Sequence, residues 1–197
     1  PDISLFEMVG AYGTFVNKGI YIEPIVITRI EDKNGTPLFE VVPNTTDVIS
    51  QEAAHVTINL LKGVTKYGSG ARLRHAGLEK TNYVYENVVT GYPYIFDNPI
   101  AGKTGTTQNQ SDGWFIGMVP NLVSGVWVGG EDRSIHFEEI AYGQGATMAL
   151  PIWALFMKKA YEIPELEISV DDFEEPEKLT INIDCENVMS TKQIKPR

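Results

Sequence analysis

Hydrophobic side chains recur at helical spacing near the start of the chain. Leu5, Val9 and Tyr12 lie three or four positions apart and Asn-Lys-Gly follows as a helix stop, so the pattern predicts a helix over residues 3–17 with one buried face. The same spacing returns within residues 45–74, where capping residues precede the apolar positions and Gly-Ser-Gly follows them. This segment predicts a second helix that ends in a mobile loop.

Strand-like patterns fill much of the remaining chain. Residues 20–42 carry β-branched side chains in alternation on either side of Asn34-Gly35, a turn signal that predicts a β-hairpin. Three short runs rich in β-branched and aromatic residues predict sequential antiparallel strands: "IAGKTGT", "DGWFIGMVP" and "LVSGVWVGGED". A glycine-rich segment then leads into an apolar helix over residues 149–161, whereas residues 80–97 predict an irregular connection.

This order of elements favours an α+β fold in which helices flank an antiparallel sheet. We place the main folding unit at residues 1–161. Residues 162–197 are acidic and contain three prolines, so they predict a tail or a small appended element that is partly disordered.

The composition narrows the range of partners. A chain of 197 residues, of which 43% are hydrophobic, is long enough for one sizeable core. The formal net charge of -10 repels nucleic-acid phosphate, and the basic residues do not cluster, so we predict no nucleic-acid binding. No apolar run is long enough to cross a bilayer, and the chain itself is predicted to hold no membrane segment.

The cysteine and histidine residues of the chain do not form the pattern of a metal or redox site. Cys185 stands alone and has no partner for an intrachain disulfide or a thiolate cluster. His55, His75 and His136 lack the spacing of a zinc site and are interpreted as ordinary surface or core histidines. We therefore predict neither a metal nor another cofactor.

The candidate chemistry lies in "NPIAGKTGTTQNQSDGWFIG", residues 98–117, where Lys103 precedes several hydroxyl side chains. A phosphate-binding P-loop uses a similar string, but it needs a glycine at the position of Asp97 and a helix directly after the lysine. Asp97 is an anion, and the residues after Lys103 have no helical period. We therefore disfavour a phosphate site.

A β-strand accounts for the same residues better. Side chains alternate along a strand, so Lys103 and Gly105 point to one face. Thr104 and Thr106 point to the other face, and a twist or a bulge must bring a threonine hydroxyl beside the ammonium. An ammonium and a hydroxyl together bind a carboxylate. Gly105 leaves room for a substrate backbone against the strand edge.

These residues resemble a known motif. "KTGT" is similar to the Lys-Thr-Gly motif of the penicillin-binding proteins and serine β-lactamases. The strings "IAGKTGTTQNQSDGWFIGMVPNLVSGVWVGGED" and "GQGATMALPIWALFMKKAY" resemble the end of the transpeptidase domain of class A, bifunctional penicillin-binding proteins. The opening "SLFEMVGAYGTFVNKGIYIEPIVITRIEDKNG" resembles the segment between their S-x-N and lysine motifs. The resemblance covers residues 1–161 and implies the C-terminal half of a β-lactamase/transpeptidase-like domain.

The resemblance also implies roles for the residues of the motif. Lys103 would be the catalytic lysine of the cleft. Thr104 and Thr106 would bind the terminal carboxylate of a D-Ala-D-Ala stem peptide or of a β-lactam, and the Thr106 N–H would be an oxyanion-hole donor. Gly105 would give the acyl donor close access. Trp114, on the following strand, is interpreted as a core residue rather than as part of the cleft wall.

A larger parent protein follows from the same resemblance. The family implies a peptidoglycan-synthesising enzyme that is anchored in the cytoplasmic membrane and works on its extracytoplasmic face, in the cell envelope. The parent would cross-link stem peptides through an acyl-serine intermediate and would carry a glycosyltransferase domain as well. Its partners would be the D-Ala-D-Ala end of the stem peptide and β-lactam antibiotics.

The sequence departs from the family at the nucleophile. No serine of the chain has a lysine three positions later or an asparagine two positions later, so the S-x-x-K and S-x-N motifs are absent. We expect the chain to be inactive alone and to need the missing N-terminal half of the same domain as its partner. The alternative is a noncatalytic module of the same fold that binds a carboxylate or peptide, or serves as a scaffold.

Overall fold

The computed structural model describes residues 3–74 and 95–183. The helices and strands follow in this order: α1 (Leu5–Val16), β1 (Ile20–Ile22), β2 (Arg29–Glu31), β3 (Pro37–Glu40), β4 (Thr45–Asp47), α2 (Gln51–Lys66), β5 (Ala101–Thr106), β6 (Asp112–Val119), β7 (Leu122–Gly129), α3 (Ile140–Gly143), α4 (Gly145–Met148) and α5 (Leu150–Tyr161). Residues 80–94 of the predicted irregular connection lie outside the described residues, as do His75 and Cys185.

Helix α1 begins with a reciprocal cap. Ser4 Oγ accepts a hydrogen bond from the Glu7 N–H (3.2 Å), and the Glu7 carboxylate accepts one from the Ser4 N–H (2.8 Å). The bonds from Ser4 hold the pKa of the Glu7 carboxyl below its ordinary value. Ser50 caps α2, where its hydroxyl accepts a hydrogen bond from the Ala53 N–H (3.2 Å). All three helices predicted from the sequence are present, as α1, α2 and α5.

Strands β5, β6 and β7 form an antiparallel sheet in that order. The β5–β6 pairing runs without a register shift from Ala101, opposite Met118, to Thr106, opposite Gly113. The three consecutive strands predicted from the sequence are confirmed. Among the described residues β5 is an edge strand, because a neighbouring strand pairs with only one of its sides.

The predicted hairpin over residues 20–42 is only partly present. Strands β2 and β3 pair across the Asn34-Gly35 turn, where the Asp32 carboxylate accepts two backbone hydrogen bonds. Strand β1 does not join them and pairs antiparallel with β4 instead. Pro24 follows β1 closely and has no N–H to donate to a strand ladder, so it separates β1 from the hairpin.

Helices cover both faces of the three-stranded sheet. Phe115 and Val119 of β6 pack with Leu150 and Trp153 of α5, and the centroids of the Phe115 and Trp153 rings lie 5.2 Å apart. Met118 points to the opposite face, because side chains alternate along a strand, and packs there with side chains of α1 and α2. The predicted α+β fold with a flanked antiparallel sheet is confirmed.

The chain after α5 returns to the other elements. The Glu167 carbonyl accepts a hydrogen bond from the Asn121 side chain (2.8 Å), and Asp172 forms an ion pair with Lys62 of α2 (2.6 Å). Phe173 is buried in the core beside α2. The boundary at residue 161 stays a prediction, since residues 184–197 lie outside the described part of the chain.

Candidate active site

The Lys-Thr-Gly-Thr string occupies the second half of β5. Lys103 lies opposite Ile116 of β6 and Gly105 lies opposite Trp114, so these positions share one face of the sheet. The strand continues through Thr106, and no helix begins after the lysine. This is the geometry of a sheet edge, and it rules out the P-loop considered from the sequence.

Lys103 borders a cavity of about 260 Å³ between the sheet and α1. The cavity is lined by Ile3, Met8, Tyr12, Lys103, Thr104, Gly105, Trp114 and Ile116. Every lining side chain except that of Lys103 is neutral. Lys103 Nζ donates to the Thr104 carbonyl oxygen (2.7 Å), and it forms no ion pair with the carboxylates that the structure describes. An exposed cation beside an apolar cavity suits a ligand with an anionic group and an apolar body.

The two threonine hydroxyls of the motif contact residues outside the sheet. Thr106 Oγ1 accepts a hydrogen bond from the Gly145 N–H at the start of α4 (3.0 Å). Thr104 Oγ1 lies 2.6 Å from Ser69 Oγ, in the turn after α2. The pairing with β6 has no register shift along these residues, so no bulge reorients them. Thr104 nevertheless contributes to the cavity lining.

Trp114 forms one wall of the cavity. Its side chain is half-buried, and its ring centroid lies 6.3 Å from that of Trp127 on β7. The sequence favoured a core position, which the structure does not bear out. A Cβ atom at Gly105 would lie 3.0 Å from the Trp114 Cβ, so glycine at this position keeps the strand and the wall in close contact.

Asp112 holds this wall from the start of β6. Its buried carboxylate accepts hydrogen bonds from Trp127 Nε1 (3.0 Å) and from the Thr107 hydroxyl (2.8 Å). The Ser111 hydroxyl donates to the same carboxylate (3.3 Å). The carboxylate therefore holds the ring of Trp127, which packs beside that of Trp114.

A second cavity, of about 610 Å³, extends the first toward the end of β7. The two cavities adjoin, because Ile3 and Trp114 line both. Glu131 and Arg133 bring charged groups to the second cavity. Together the cavities form a cleft along the α1 side of the sheet, and we refer to it below as the α1-side cleft.

Replacing Asp112 by alanine is expected to destabilise the folded protein by about 1–3 kcal/mol, because three donors, of which the Ser111 hydroxyl is buried, lose their acceptor. The measurement is the urea unfolding midpoint, for which tryptophan fluorescence is the probe. The emission of the folded variant is expected to shift to longer wavelength. Asp47→Ala removes an exposed carboxylate on β4 and is expected to change stability by no more than about 0.5 kcal/mol. An Asp112→Ala variant as stable as Asp47→Ala would show that the carboxylate does not hold the wall.

Sequence reasoning missed three residues that hold the site together, namely Ser69, Asp112 and Gly145. Ser69 and Gly145 each lie in a glycine-rich string of the sequence. The Gly-Ser-Gly string around Ser69 was interpreted as a mobile loop, and the Gly-Gln-Gly string that ends at Gly145 as the entry to a helix. The turn after α2 is in fact closed by hydrogen bonds, since the N–H groups of Gly68 and Gly70 both donate to the Val64 carbonyl.

His55 and His136 do not line this cleft. His55 is buried on α2, where neither ring nitrogen has a hydrogen-bond partner among the described residues, and His136 is exposed. The described residues also hold no helix with both the length and the apolar character that a bilayer span requires.

A family model described as the penicillin binding protein transpeptidase domain matches residues 2–131, which include Lys103 and every residue that lines its cavity. The chain belongs to this family. The resemblance to penicillin-binding proteins that the sequence carries is therefore confirmed, and the cleft beside Lys103 is a cleft of a penicillin-binding protein transpeptidase domain.

Curated relatives agree with this assignment. Penicillin-binding protein 1A of Clostridium novyi is 34% identical over 170 residues, which are 85% of this chain and 17% of that protein. Penicillin-binding protein 1A of Aquifex aeolicus is 30% identical over 189 residues, 95% of this chain and 22% of that protein. Penicillin-binding protein 2D of Bacillus subtilis is 33% identical over 156 residues, 78% of this chain and 20% of that protein. The chain thus spans about a fifth of the length of these relatives.

Solved structures share the fold. Penicillin-binding protein 1A from Haemophilus influenzae superposes with a TM-score of 0.62 at 24% identity, over 91% of this chain and 28% of that one. An imipenem acyl-enzyme complex of penicillin-binding protein A from M. tuberculosis superposes with a TM-score of 0.55 at 20% identity, over 81% of this chain and 31% of that one. The architecture described above is therefore that of penicillin-binding protein transpeptidase domains.

Proposed function

We propose that this chain supplies the substrate-binding strand of a serine-type D,D-transpeptidase that cross-links peptidoglycan stem peptides. The observation that carries the proposal is the position of Lys103, an exposed cation on an edge strand beside an otherwise neutral cavity. A peptide that ends in a carboxylate can lie along such an edge and place its charge against the ammonium.

Each residue of the motif has a role in this proposal. Lys103 attracts the substrate carboxylate and polarises the nucleophilic hydroxyl. The hydroxyls of Thr104 and Thr106 donate to the carboxylate of a D-Ala-D-Ala terminus or of a β-lactam. The backbone N–H of Thr106 is one donor of the oxyanion hole, an interaction that typically contributes about 3 kcal/mol to transition-state stabilisation. Gly105 lets the acyl donor approach the strand.

The nucleophile in this proposal comes from another part of the parent protein. None of the serines of the chain has the S-x-x-K or S-x-N spacing, and the chain covers only about a fifth of its relatives' length. We propose that the N-terminal half of the same domain closes the α1-side cleft and brings the serine, its lysine base and the S-x-N element to Lys103. The chain alone then has no acylation activity.

The parent protein, in the same proposal, works at the extracytoplasmic face of the cytoplasmic membrane, where peptidoglycan is assembled, and is anchored there outside this chain. β-lactams are expected to acylate it. The acyl-enzyme formed with imipenem by the M. tuberculosis protein of the same fold supports this expectation. A glycosyltransferase domain in the parent belongs to the same proposal and rests on the resemblance to bifunctional enzymes.

The test is intact-protein mass spectrometry after incubation with benzylpenicillin. The chain alone is expected to keep its mass, whereas the parent protein, or the chain combined with the N-terminal half, is expected to gain one penicilloyl group. An adduct on a serine of the isolated chain would overturn the proposal. A parent protein that never forms an adduct, yet binds a D-Ala-D-Ala peptide, would instead support the noncatalytic binding module.

A further inference from the structure

A serine outside the family motif touches the centre of that motif. Ser69 lies 35 residues before Thr104, in the turn that follows α2, and the two side-chain oxygens are 2.6 Å apart. This separation lies at the short end of the range for hydroxyl–hydroxyl hydrogen bonds. Ser69 is therefore in direct contact with a hydroxyl that the proposed function assigns to carboxylate binding.

The turn that presents Ser69 has little freedom to move. The Gly68 N–H donates to the carbonyls of Gly63 and Val64, and the Gly70 N–H donates to the Val64 carbonyl (3.0 Å). A Cβ atom at Gly68 would lie 3.0 Å from the Val64 Cα, so the turn packs directly on the backbone of α2. These bonds fix the backbone on both sides of Ser69.

The same segment is fastened to the chain that enters β5. The buried Thr65 hydroxyl donates to the Ile100 carbonyl (2.6 Å), one residue before the strand begins. The Arg74 guanidinium donates to the Phe96 carbonyl (2.6 Å) and to the Asn98 carbonyl. Hydrogen bonds from both sides of Ser69 in the sequence therefore hold this segment against the chain that enters β5, which keeps Ser69 beside Thr104.

The direction of the hydrogen bond decides what Thr104 can do. A hydroxyl has one proton to donate and can accept more than one hydrogen bond. When Ser69 donates to Thr104, the Thr104 proton remains free for a ligand, and the chain from Ser69 through Thr104 to a carboxylate is polarised cooperatively. Without Ser69 the Thr104 hydroxyl loses the partner that fixes its rotamer.

We propose that Ser69 is a positioning residue, which orients the Thr104 hydroxyl as a donor to the substrate carboxylate. The inference rests on the proposed function, because it assumes that Thr104 binds that carboxylate. It assigns to the turn after α2 a part in carboxylate recognition, beside the lysine motif itself.

The experiment compares benzylpenicillin with its methyl ester, which has the same ring but no charged carboxylate. Acylation efficiency of the complete parent protein is measured with both compounds, and the ratio of free acid to ester is the readout. Ser69→Ala is expected to lower this ratio about tenfold, because one oriented hydrogen bond to the carboxylate is weakened. Ser69→Thr retains the hydroxyl and is expected to restore the ratio to within about threefold of the original.

The outcomes separate this inference from the proposed function. Ser169→Ala, beside the turn between β6 and β7, is the control and is expected to leave the ratio unchanged. If Ser69→Ala slows the acid and the ester equally, Ser69 supports the fold only, and the inference is overturned while the proposed function stands. If the unaltered parent shows no acylation, or no preference for the acid, carboxylate recognition by the motif fails and the inference fails with it.

Discussion

Replacing Lys103 by alanine is expected to lower the second-order rate constant for acylation of the parent protein by penicillin by about 100-fold or more. The physical reason is that Lys103 supplies the only charge among the described residues that line its cavity. In the proposed function, loss of the ammonium leaves the carboxylate of the incoming ligand without its partner and removes a positive charge that stabilises the nucleophile. Stopped-flow acylation with a fluorescent penicillin gives the rate constant directly.

Two further variants sharpen this test. Lys103→Arg keeps the charge but replaces a compact ammonium by a planar guanidinium. We expect its acylation rate constant to stay about tenfold below that of the unaltered protein. Lys33→Ala removes another exposed lysine, from the turn between β2 and β3, and is expected to have no effect. Lys103→Ala reacting at the rate of Lys33→Ala would remove Lys103 from the chemistry.

The elements of this fold that depend on local signals could be predicted from the sequence. Helix α1 combines an apolar stripe with a capping box whose two members, Ser4 and Glu7, are three residues apart. Strands β5 to β7 are joined by short connections, so each pairs with its neighbour in the sequence. In both cases the partners lie near one another in the sequence, three residues apart in the cap and at most 17 residues apart between paired strand positions.

Pairings between distant segments could not be predicted in the same way. The alternation over residues 20–42 is typical of strands, but it does not say that Ile20–Ile22 pairs with Thr45–Asp47. The division of residues 140–148 into two short helices before α5 was also missed, because a glycine-rich string signals a break without giving the geometry on either side.

The same distinction between local signals and contacts distant in sequence applies to the candidate site. Lys103 and its threonines form one short string that resembles a family motif, whereas Ser69 and Gly145 make their contacts with residues 35 and 39 positions away in sequence. A glycine in a sequence shows only that a side chain is missing. Which backbone then approaches it is decided by the fold.

Gly145 is the position where that approach is closest to the motif. A Cβ atom there would lie 2.3 Å from the Gly105 carbonyl oxygen and 2.5 Å from the Trp114 carbonyl oxygen. Both neighbours are backbone atoms of paired strands, so neither can rotate away as the end of a side chain can. The start of α4, which donates the Gly145 N–H to Thr106 Oγ1, must therefore move if a side chain is added.

Gly145→Ala is accordingly expected to destabilise the parent's transpeptidase domain by about 3 kcal/mol. It is also expected to slow acylation, since Thr106 loses the donor that orients its hydroxyl. Urea unfolding and acylation rates, measured on the same preparations, check both effects. Gly113→Ala is a graded comparison, because its nearest neighbour is the flexible end of Met148, and we expect a smaller loss of about 1 kcal/mol.

Gly63→Ala is a control that is expected to increase stability rather than to decrease it. This glycine lies inside α2, and an added Cβ would meet nothing within 4 Å, so the substitution is expected to stabilise the domain by about 0.5–1 kcal/mol through the intrinsic helix preference of alanine. The three glycine variants thus rank by what the new methyl group meets, and Gly63→Ala gains helix preference in addition. If Gly145→Ala were as stable as Gly63→Ala, the contact between α4 and the lysine-motif strand would be loose, and α4 could not be what holds the Thr106 hydroxyl in place.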